Sequence, residues 1–336
     1  MGKTKRGGKF LYSGAFGCSF KPAIKCYGSK TRKNGYISKI MSRTNALDEM
    51  ARSEFVRKAN AQFQYFVYPD ELCVPEPEKN DEFDSCGLSF LNQVSLLSPD
   101  GGTDLYNMRI SIKELPAVFE GLLNVFDGLI FLHKNNFIHR DVKPPNIVGQ
   151  KLSNNSYKIR LIDFGLSATV DDCIRRPKVD NYAYWPFDFR LLDDTYVPNS
   201  KDINEFYRAI KWGNFPMWFY HENGEKIISI KWVLSMFKKL LTLNPQTVVL
   251  QCDTFALGRS IYEIYNMATG HISTGHDSIL GVAANQVSLA KHFALPLFNL
   301  VKEMCLPDPF LRIDLGLARD NFAKLLPILR KEMLAL

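Results

Sequence analysis

Two short runs hold the residue types that could do chemistry. His139-Arg140-Asp141-Val142-Lys143-Pro144-Pro145-Asn146 is followed, at Asp163, by Asp-Phe-Gly. Transfer of a phosphoryl group asks little covalent chemistry of a protein. It needs a nucleophile placed in line, a hard cation held on the phosphates, and neutralisation of the charge that develops. Asp141 can accept or orient the proton of an attacking hydroxyl, and Lys143 can steady the moving phosphoryl group. Asn146 and Asp163 offer the hard oxygens that Mg²⁺ prefers. The intervening IVGQKLSNNSYKIRLI reads as two strands around an Asn-Asn turn, which would fold Asp163 back beside Asn146.

With these motifs at this spacing, the chain resembles the eukaryotic-type protein kinase family over nearly its whole length. The resemblance implies ATP as donor, with Mg²⁺ or Mn²⁺, and a protein substrate as acceptor. Lys143 resembles the serine/threonine class rather than the tyrosine class. Ser13-Gly14-Ala15-Phe16-Gly17 resembles the loop that folds over ATP phosphates, where absent side chains let backbone amides approach the oxygens. It departs from the family pattern at Tyr12, where a first glycine is usual, and at Ser19. The lysine for the α and β phosphates is read as Lys39 in YISKIM. Lys25 spells the more familiar AIK, but it follows Gly17 too closely to leave room for a second strand, a turn and a third strand; it stays as the alternative. The expected partner of Lys39 on the following helix is Glu54, with Glu49 as competitor.

Further along, Asp253 in DTFALGRSIYE resembles the aspartate of the large lobe's central helix, which receives backbone N–H groups of the HRD loop. Arg312 in PDPFLRI resembles the family's late arginine. The acidic motif that it usually meets is not spelled out, and Asp188 in YWPFD is expected to replace it in a buried ion pair. Arg140 is a candidate to bind a phosphate on the segment between Asp163 and Asp188, whose only hydroxyls are Ser167, Thr169, Tyr182 and Tyr184.

A framework must position these groups, and the patterning describes one. The first hundred or so residues alternate short β-like runs with Gly, Asn and Pro, interrupted by a helical stretch around Ala46 to Ala61. From Glu114 the period becomes helical, with Leu115, Val118, Phe119, Leu122, Leu123, Phe126, Leu129 and Ile130 on one face. The expected fold is α+β and, by the resemblance, bilobal and protein-kinase-like. A small β-rich N-terminal lobe with one helix would span 1–97, and a larger helical C-terminal lobe 98–336. An insertion at about 189–250, with helices expected at Asp202 to Lys211 and Lys226 to Leu243, carries Trp212, Phe215, Trp218 and Phe219. It reads either as an extra packed element or as a docking surface for a partner. Together with GAFGCSFKPAIKC and YISKIM, it resembles kinases encoded by large cytoplasmic DNA viruses.

Composition removes other classes. A chain of 336 residues with 46% hydrophobic and 23% charged residues is neither disordered nor a fibrous repeat. The most apolar stretch, Leu115 to Leu132, is interrupted by Glu120, Asn124 and Asp127, so no membrane span is expected. The net charge of +7 is spread along the chain, and no nucleic-acid partner is indicated. Seven cysteines without a CxxC pair argue against a disulfide framework or a zinc site. They argue for a reducing, cytoplasmic setting, which for a viral protein means the host cytoplasm or the virion. Two rivals stay open: a pseudokinase scaffold acting through the insertion, and a kinase for a small molecule or lipid.

Overall fold

The computed structural model describes residues 8–14, 17–59, 64–76, 92–176, 182–212, 219, 225–269 and 291–334. By its internal contacts the chain divides into two compact units. The first comprises residues up to Gly102 together with Ile162–Gly165, and the second Thr103–Leu161 together with Leu166 onward.

The first unit is built on a five-stranded antiparallel sheet of β1 (Lys9–Gly14), β2 (Gly17–Lys21), β3 (Tyr36–Ser42), β4 (Glu71–Cys73) and β5 (Gln93–Pro99), in the order β1-β2-β3-β5-β4. Strand alternation gives β3 two faces. Ile40 joins Cys18, Phe20 and Ile24 on one side, whereas Met41 packs on the other with Ala46, Val94 and Leu96. Lys39, two residues before Met41, therefore shares the face that Ala46 covers. Ala46 belongs to α1 (Arg43–Ala59), which follows β3 without a loop; the Ser42 hydroxyl accepts from the Asn45 amide at its start, 3.3 Å away.

A disulfide of 2.01 Å joins Cys26 to Cys73, 47 residues apart, and Cys18 is also disulfide-bonded. This corrects the expectation drawn from cysteine spacing. A sheet brings distant residues together regardless of local motif, and here the backbone bridge of Cys26 with Pro75 places one thiol beside the other. Cys173, Cys252 and Cys305 are free and buried.

The second unit begins with β6 (Thr103–Asp104), α2 (Leu115–Lys134) and β7 (Phe137–Ile138). A 3₁₀ turn at Pro144–Asn146 leads into the hairpin of β8 (Ile147–Lys151) and β9 (Tyr157–Leu161). Asn155, at φ 62°, supplies the left-handed residue that this hairpin's turn requires. β6 adds to the hairpin's β8 edge, and β10 (Ala168–Thr169) pairs with β7. Then come α3 (Val170–Arg175), a 3₁₀ turn at Phe187–Leu192, α4 (Ser200–Trp212), α5 (Ile230–Leu240), α6 (Pro245–Ala268), α7 (Lys291–Met304) and α8 (Leu315–Leu334).

By length and composition α2 is apolar enough to cross a membrane. In the fold, its Leu115, Val118, Phe119, Leu122, Val125, Phe126, Leu129 and Leu132 are buried. Phe119 and Phe126 lie 5.6 and 5.3 Å from the ring of Phe322 in α8. Each such ring contributes about 1.5–3 kcal/mol on burial. A Cβ on Gly121 would fall 2.4 Å from Ile159 Cγ1, so the missing side chain lets α2 lie directly on β9.

α5 begins at Ile230 rather than Lys226 because the Ser229 hydroxyl caps it, accepting from the Trp232 amide at 3.3 Å. In the insertion, Phe206 packs edge-on to both Phe187 and Phe219, each at 5.5 Å, and Trp232 meets Phe187 at 6.3 Å. Phe219 is thus an element of packing. Phe215 and Trp218 lie outside the described residues.

Candidate active site

Each unit carries a cluster of the expected residues. In the first, Lys39 Nζ is 2.8 Å from Glu49 Oε2 and 3.3 Å from Asp163 Oδ2. The partner is Glu49 and not Glu54. Ala46, Glu49, Ser53 and Val56 recur at helical spacing and are all buried, so Glu49 lies on the inward face of α1. Glu54 is turned away from it and pairs with Arg57 at 2.5 Å and Lys58 at 3.6 Å along its own helix. Burial alone would lower the pKa of Lys39, but the carboxylates of Asp163 and Glu49 hold it above the ordinary lysine range, so the amine stays charged. Burial pushes the Glu49 carboxyl up, against the opposing pull of Lys39. Lys25 is engaged elsewhere, 2.9 Å from Glu76, next to the Cys26 disulfide.

Asp163 has φ 66°, a left-handed backbone that non-glycine residues adopt at a cost of about 1–3 kcal/mol. Its Oδ1 accepts from the Gly165 amide at 3.1 Å, and Phe164 is buried edge-on against Phe66 at 5.5 Å. Arg52 of α1 donates to the Gly165 carbonyl. In the glycine-rich hairpin, Ser13 pairs with Cys18 and Gly14 with Gly17. A Cβ on Gly17 would stand 2.2 Å from the Ile40 carbonyl oxygen, so this position admits only glycine. Ala15 and Phe16, at the tip, lie outside the described residues.

In the second unit Asp253, fully buried in α6, organises the loop that carries Asp141. Its two oxygens accept the amides of His139 and Arg140, both at 2.8 Å, and the His133 ring nitrogen is 3.2 Å away. Burial pushes this carboxyl up, but the His133 ring and the His139 amide outweigh it and hold the pKa below the ordinary aspartate value. Asp141, 5% exposed, is surrounded by donors. Asn146 Nδ2 reaches its Oδ2 at 2.7 Å and its carbonyl at 2.9 Å, and Lys143 Nζ lies 3.0 Å from Oδ1. With Nδ2 committed, the amide oxygen is the atom that Asn146 can offer a cation.

The Tyr182 hydroxyl donates to Asp141 Oδ1 and accepts from Lys143 Nζ at 3.0 Å. The sequence marks Tyr182 only as one hydroxyl among four; its ring bridges a distance that no local motif encodes. Arg140 is buried, with its guanidinium over the rings of Trp185 at 5.0 Å and Phe189 at 5.5 Å, and its carbonyl accepts from Trp185 Nε1 at 2.7 Å.

Arg312 and Asp188 form the anticipated pair, 5% and 1% exposed. Nη1 reaches Oδ2 at 3.0 Å, Nη2 donates to Oδ1, and Nε satisfies the Leu306 carbonyl at 2.6 Å. The planar fork of an arginine suits this two-point contact.

Residues 98–185 match the family model described as the protein kinase domain. A putative serine/threonine-protein kinase of Acanthamoeba polyphaga mimivirus is 28% identical over 157 residues, which cover 45% of this chain and 46% of the relative. Calcium-dependent protein kinase 4 of Plasmodium berghei is 38% identical over 68 residues, covering 20% of this chain and 13% of that protein. A probable serine/threonine-protein kinase of Dictyostelium discoideum is 35% identical over 94 residues, covering 28% and 5%. The matched stretches thus span less than half the length of these relatives. The family model describes a protein kinase domain, and two of these three relatives are named serine/threonine-protein kinases.

Proposed function

We propose that the chain transfers the γ-phosphoryl group of ATP to serine or threonine hydroxyls of a protein substrate. The observation that carries this reading is Asp141: a buried carboxylate fixed by Asn146 and Lys143 that accepts a hydrogen bond from the Tyr182 hydroxyl. A substrate hydroxyl in the same relation to Asp141 is oriented for attack, and its proton has a base to go to. Lys143, beside both oxygens, offsets the negative charge that builds on the transferred group. Lys39, held charged by Glu49 and Asp163, is the amine suited to the α and β phosphates, and the Gly14–Gly17 hairpin offers backbone amides to the same ligand.

The donor set fits Mg²⁺, or Mn²⁺. Asp163 in the first unit offers a carboxylate and Asn146 in the second an amide oxygen, and such cations usually complete their shells with phosphate and water rather than an all-protein cage. A bound Mg²⁺ would neutralise phosphate charge and polarise the γ-phosphoryl group. The partial match to a mimivirus kinase suits a viral setting, in the host cytoplasm or the virion.

The second reading, a scaffold that binds a partner through the insertion, has one observation in its favour. Ile230, Leu234 and Leu241, on or just past α5, are exposed large apolar residues at helical spacing. Phosphoamino acid analysis after incubation with Mg·ATP and a mixture of basic and acidic proteins separates the readings. Label on phosphoserine or phosphothreonine supports the kinase. Label confined to a small metabolite, or nucleotide binding without transfer, rejects it.

A further inference from the structure

Part of the first unit takes no share in the proposed reaction. After β2 the chain runs back over the face of β3 opposite α1. The Ile24 amide donates to the buried Ser38 hydroxyl and the Ala23 amide to the Tyr36 carbonyl, both at 2.9 Å, and Ile24 packs with Cys18, Phe20 and Ile40. From there the segment is tied to the far edge of the sheet. The Tyr27 amide donates to the Val74 carbonyl at 2.8 Å, the Glu76 amide to the Lys25 carbonyl at 2.7 Å, and the disulfide joins Cys26 to Cys73 of β4. Beside Cys73, Leu72 stands opposite Leu96 of β5, and Leu96 stands opposite Lys39. The disulfide thus closes a strap around β3 at the residue that carries the phosphate-binding amine. A cavity of about 310 Å³ opens on this strap, and its wall includes Cys26, Ser29, Lys30, Thr31, Arg32 and Lys33. Three cations there face one carboxylate of the wall, Glu71, which Lys33 meets at 2.9 Å. Cys26 and Cys73 are both half-buried, and of the two only Cys26 lines the cavity.

We propose that the Cys26–Cys73 disulfide is a thiol-exchange site, reached by an anionic thiol through this cavity, and that opening it weakens nucleotide binding. The second half rests on the reading of Lys39 as the amine that meets the nucleotide's phosphates. Exchange needs a thiolate with access to one sulfur of the bond, and the basic wall concentrates anions next to Cys26 Sγ. The thiolate attacks that sulfur, a mixed disulfide forms on Cys26, and Cys73 leaves as a thiolate that takes up a proton. A second thiolate then attacks the reagent's sulfur in the mixed disulfide, which frees Cys26 as a thiol and yields the reagent's own disulfide. Two electrons pass in all from two thiols of the reagent to the protein's disulfide. The free cysteines do not compete: Cys173, Cys252 and Cys305 are buried, and burial holds the thiols of Cys173 and Cys305 up at about 11 and about 12. With the strap open, the segment behind Ser38 keeps only its hydrogen bonds and packing. Lys39 is then less well pre-organised for phosphate, and binding must supply the missing order.

The test exposes the oxidised full chain to glutathione, an anionic thiol, or to cysteamine, a cationic one, at equal thiolate concentration, with alkylation at intervals and peptide mapping by mass spectrometry. Affinity for Mg·ATP is measured before and after by calorimetry. The expected result is a glutathione adduct on Cys26, formed about tenfold or more faster than the cysteamine adduct, with that advantage lost in Lys30→Glu/Arg32→Glu. Opening should raise the Kd for Mg·ATP by about tenfold. Cys26→Ser/Cys73→Ser should show the same rise with no reagent, which keeps the separate disulfide of Cys18 out of the comparison. Equal rates for the two thiols, or a first adduct on Cys73, overturn the exchange site. An unchanged Kd in both the reduced protein and the double variant overturns the coupling to nucleotide. Failure of the oxidised protein to bind nucleotide at all overturns the kinase reading and the coupling with it, while the adduct map still decides the exchange site.

Discussion

Asp188→Asn removes the charge that balances Arg312 while leaving the arginine where it is. Breaking a buried ion pair from one side costs about 3–5 kcal/mol, since the remaining charge stays out of water without its counter-ion. Here the lower end applies, because the Leu306 carbonyl still accepts from Nε at 2.6 Å and the Pro307 carbonyl from Nη2 at 3.3 Å. A loss of about 3 kcal/mol, with a urea dependence of about 3 kcal/mol per molar for a chain of this size, moves the midpoint down by about 1 M. Tryptophan fluorescence reads the right unit: no tryptophan precedes residue 185 in the sequence, and the described Trp185 and Trp232 belong to the second unit. Replacing both partners, Asp188→Leu with Arg312→Met, should recover most of the loss, since no charge is then stranded. A midpoint in Asp188→Asn within 0.2 M of wild type, on the order of 0.6 kcal/mol by the same slope, refutes the reasoning.

Other perturbations separate neighbouring residues. Glu49→Gln should lower kcat/KM for transfer by about 10–100-fold, equivalent to about 1.4–2.8 kcal/mol, because Lys39 loses its orienting carboxylate. Glu54→Gln, which disturbs only an exposed helical pair, should stay within about twofold of wild type; equal losses in the two variants would reject the Glu49 assignment. Gly17→Ala drives a Cβ into the Ile40 carbonyl and should raise the KM for ATP by about tenfold or more, read from initial rates at varied nucleotide. Asp253 has a folded pKa below its unfolded value of about 3.9, so it contributes stability that is present above that value and lost as pH falls from it through the lower folded pKa. Acid titration followed by tryptophan fluorescence should therefore show a steep limb below about pH 4 in wild type and a shallower one in Asp253→Asn.

Much of this architecture is legible in residue patterns because the relevant signals are local. The apolar spacing from Leu115 onward marks α2, the Asn-Asn turn marks the β8–β9 hairpin, and the length between Gly17 and Lys39 leaves room for two strands where Lys25 does not. The Asp188–Arg312 pair is legible through the resemblance of PDPFLRI to the family's late arginine motif, not from the charge pattern alone. Glu49 was within reach: Ala46, Ser53 and Val56 mark the buried face of α1 and Glu49 falls on it, whereas distance along the chain alone favours Glu54. The Cys26–Cys73 disulfide was not, because sheet pairing and not spacing joins those residues. Nor was the Tyr182 contact, which depends on how Trp185, Arg259 and Glu263 hold the stretch that follows Tyr182. The stacking of Arg140 on the rings of Trp185 and Phe189 was likewise not legible, because the fold and not the local motif brings those rings to it.

The most direct test of the account is a paired measurement on wild type and Asp141→Asn: nucleotide affinity, and transfer of labelled γ-phosphate from Mg·ATP to protein. The account predicts transfer by wild type, a loss of several powers of ten in the variant, and little change in nucleotide affinity between them. Wild-type protein that binds nucleotide but transfers no more phosphate than Asp141→Asn would contradict it.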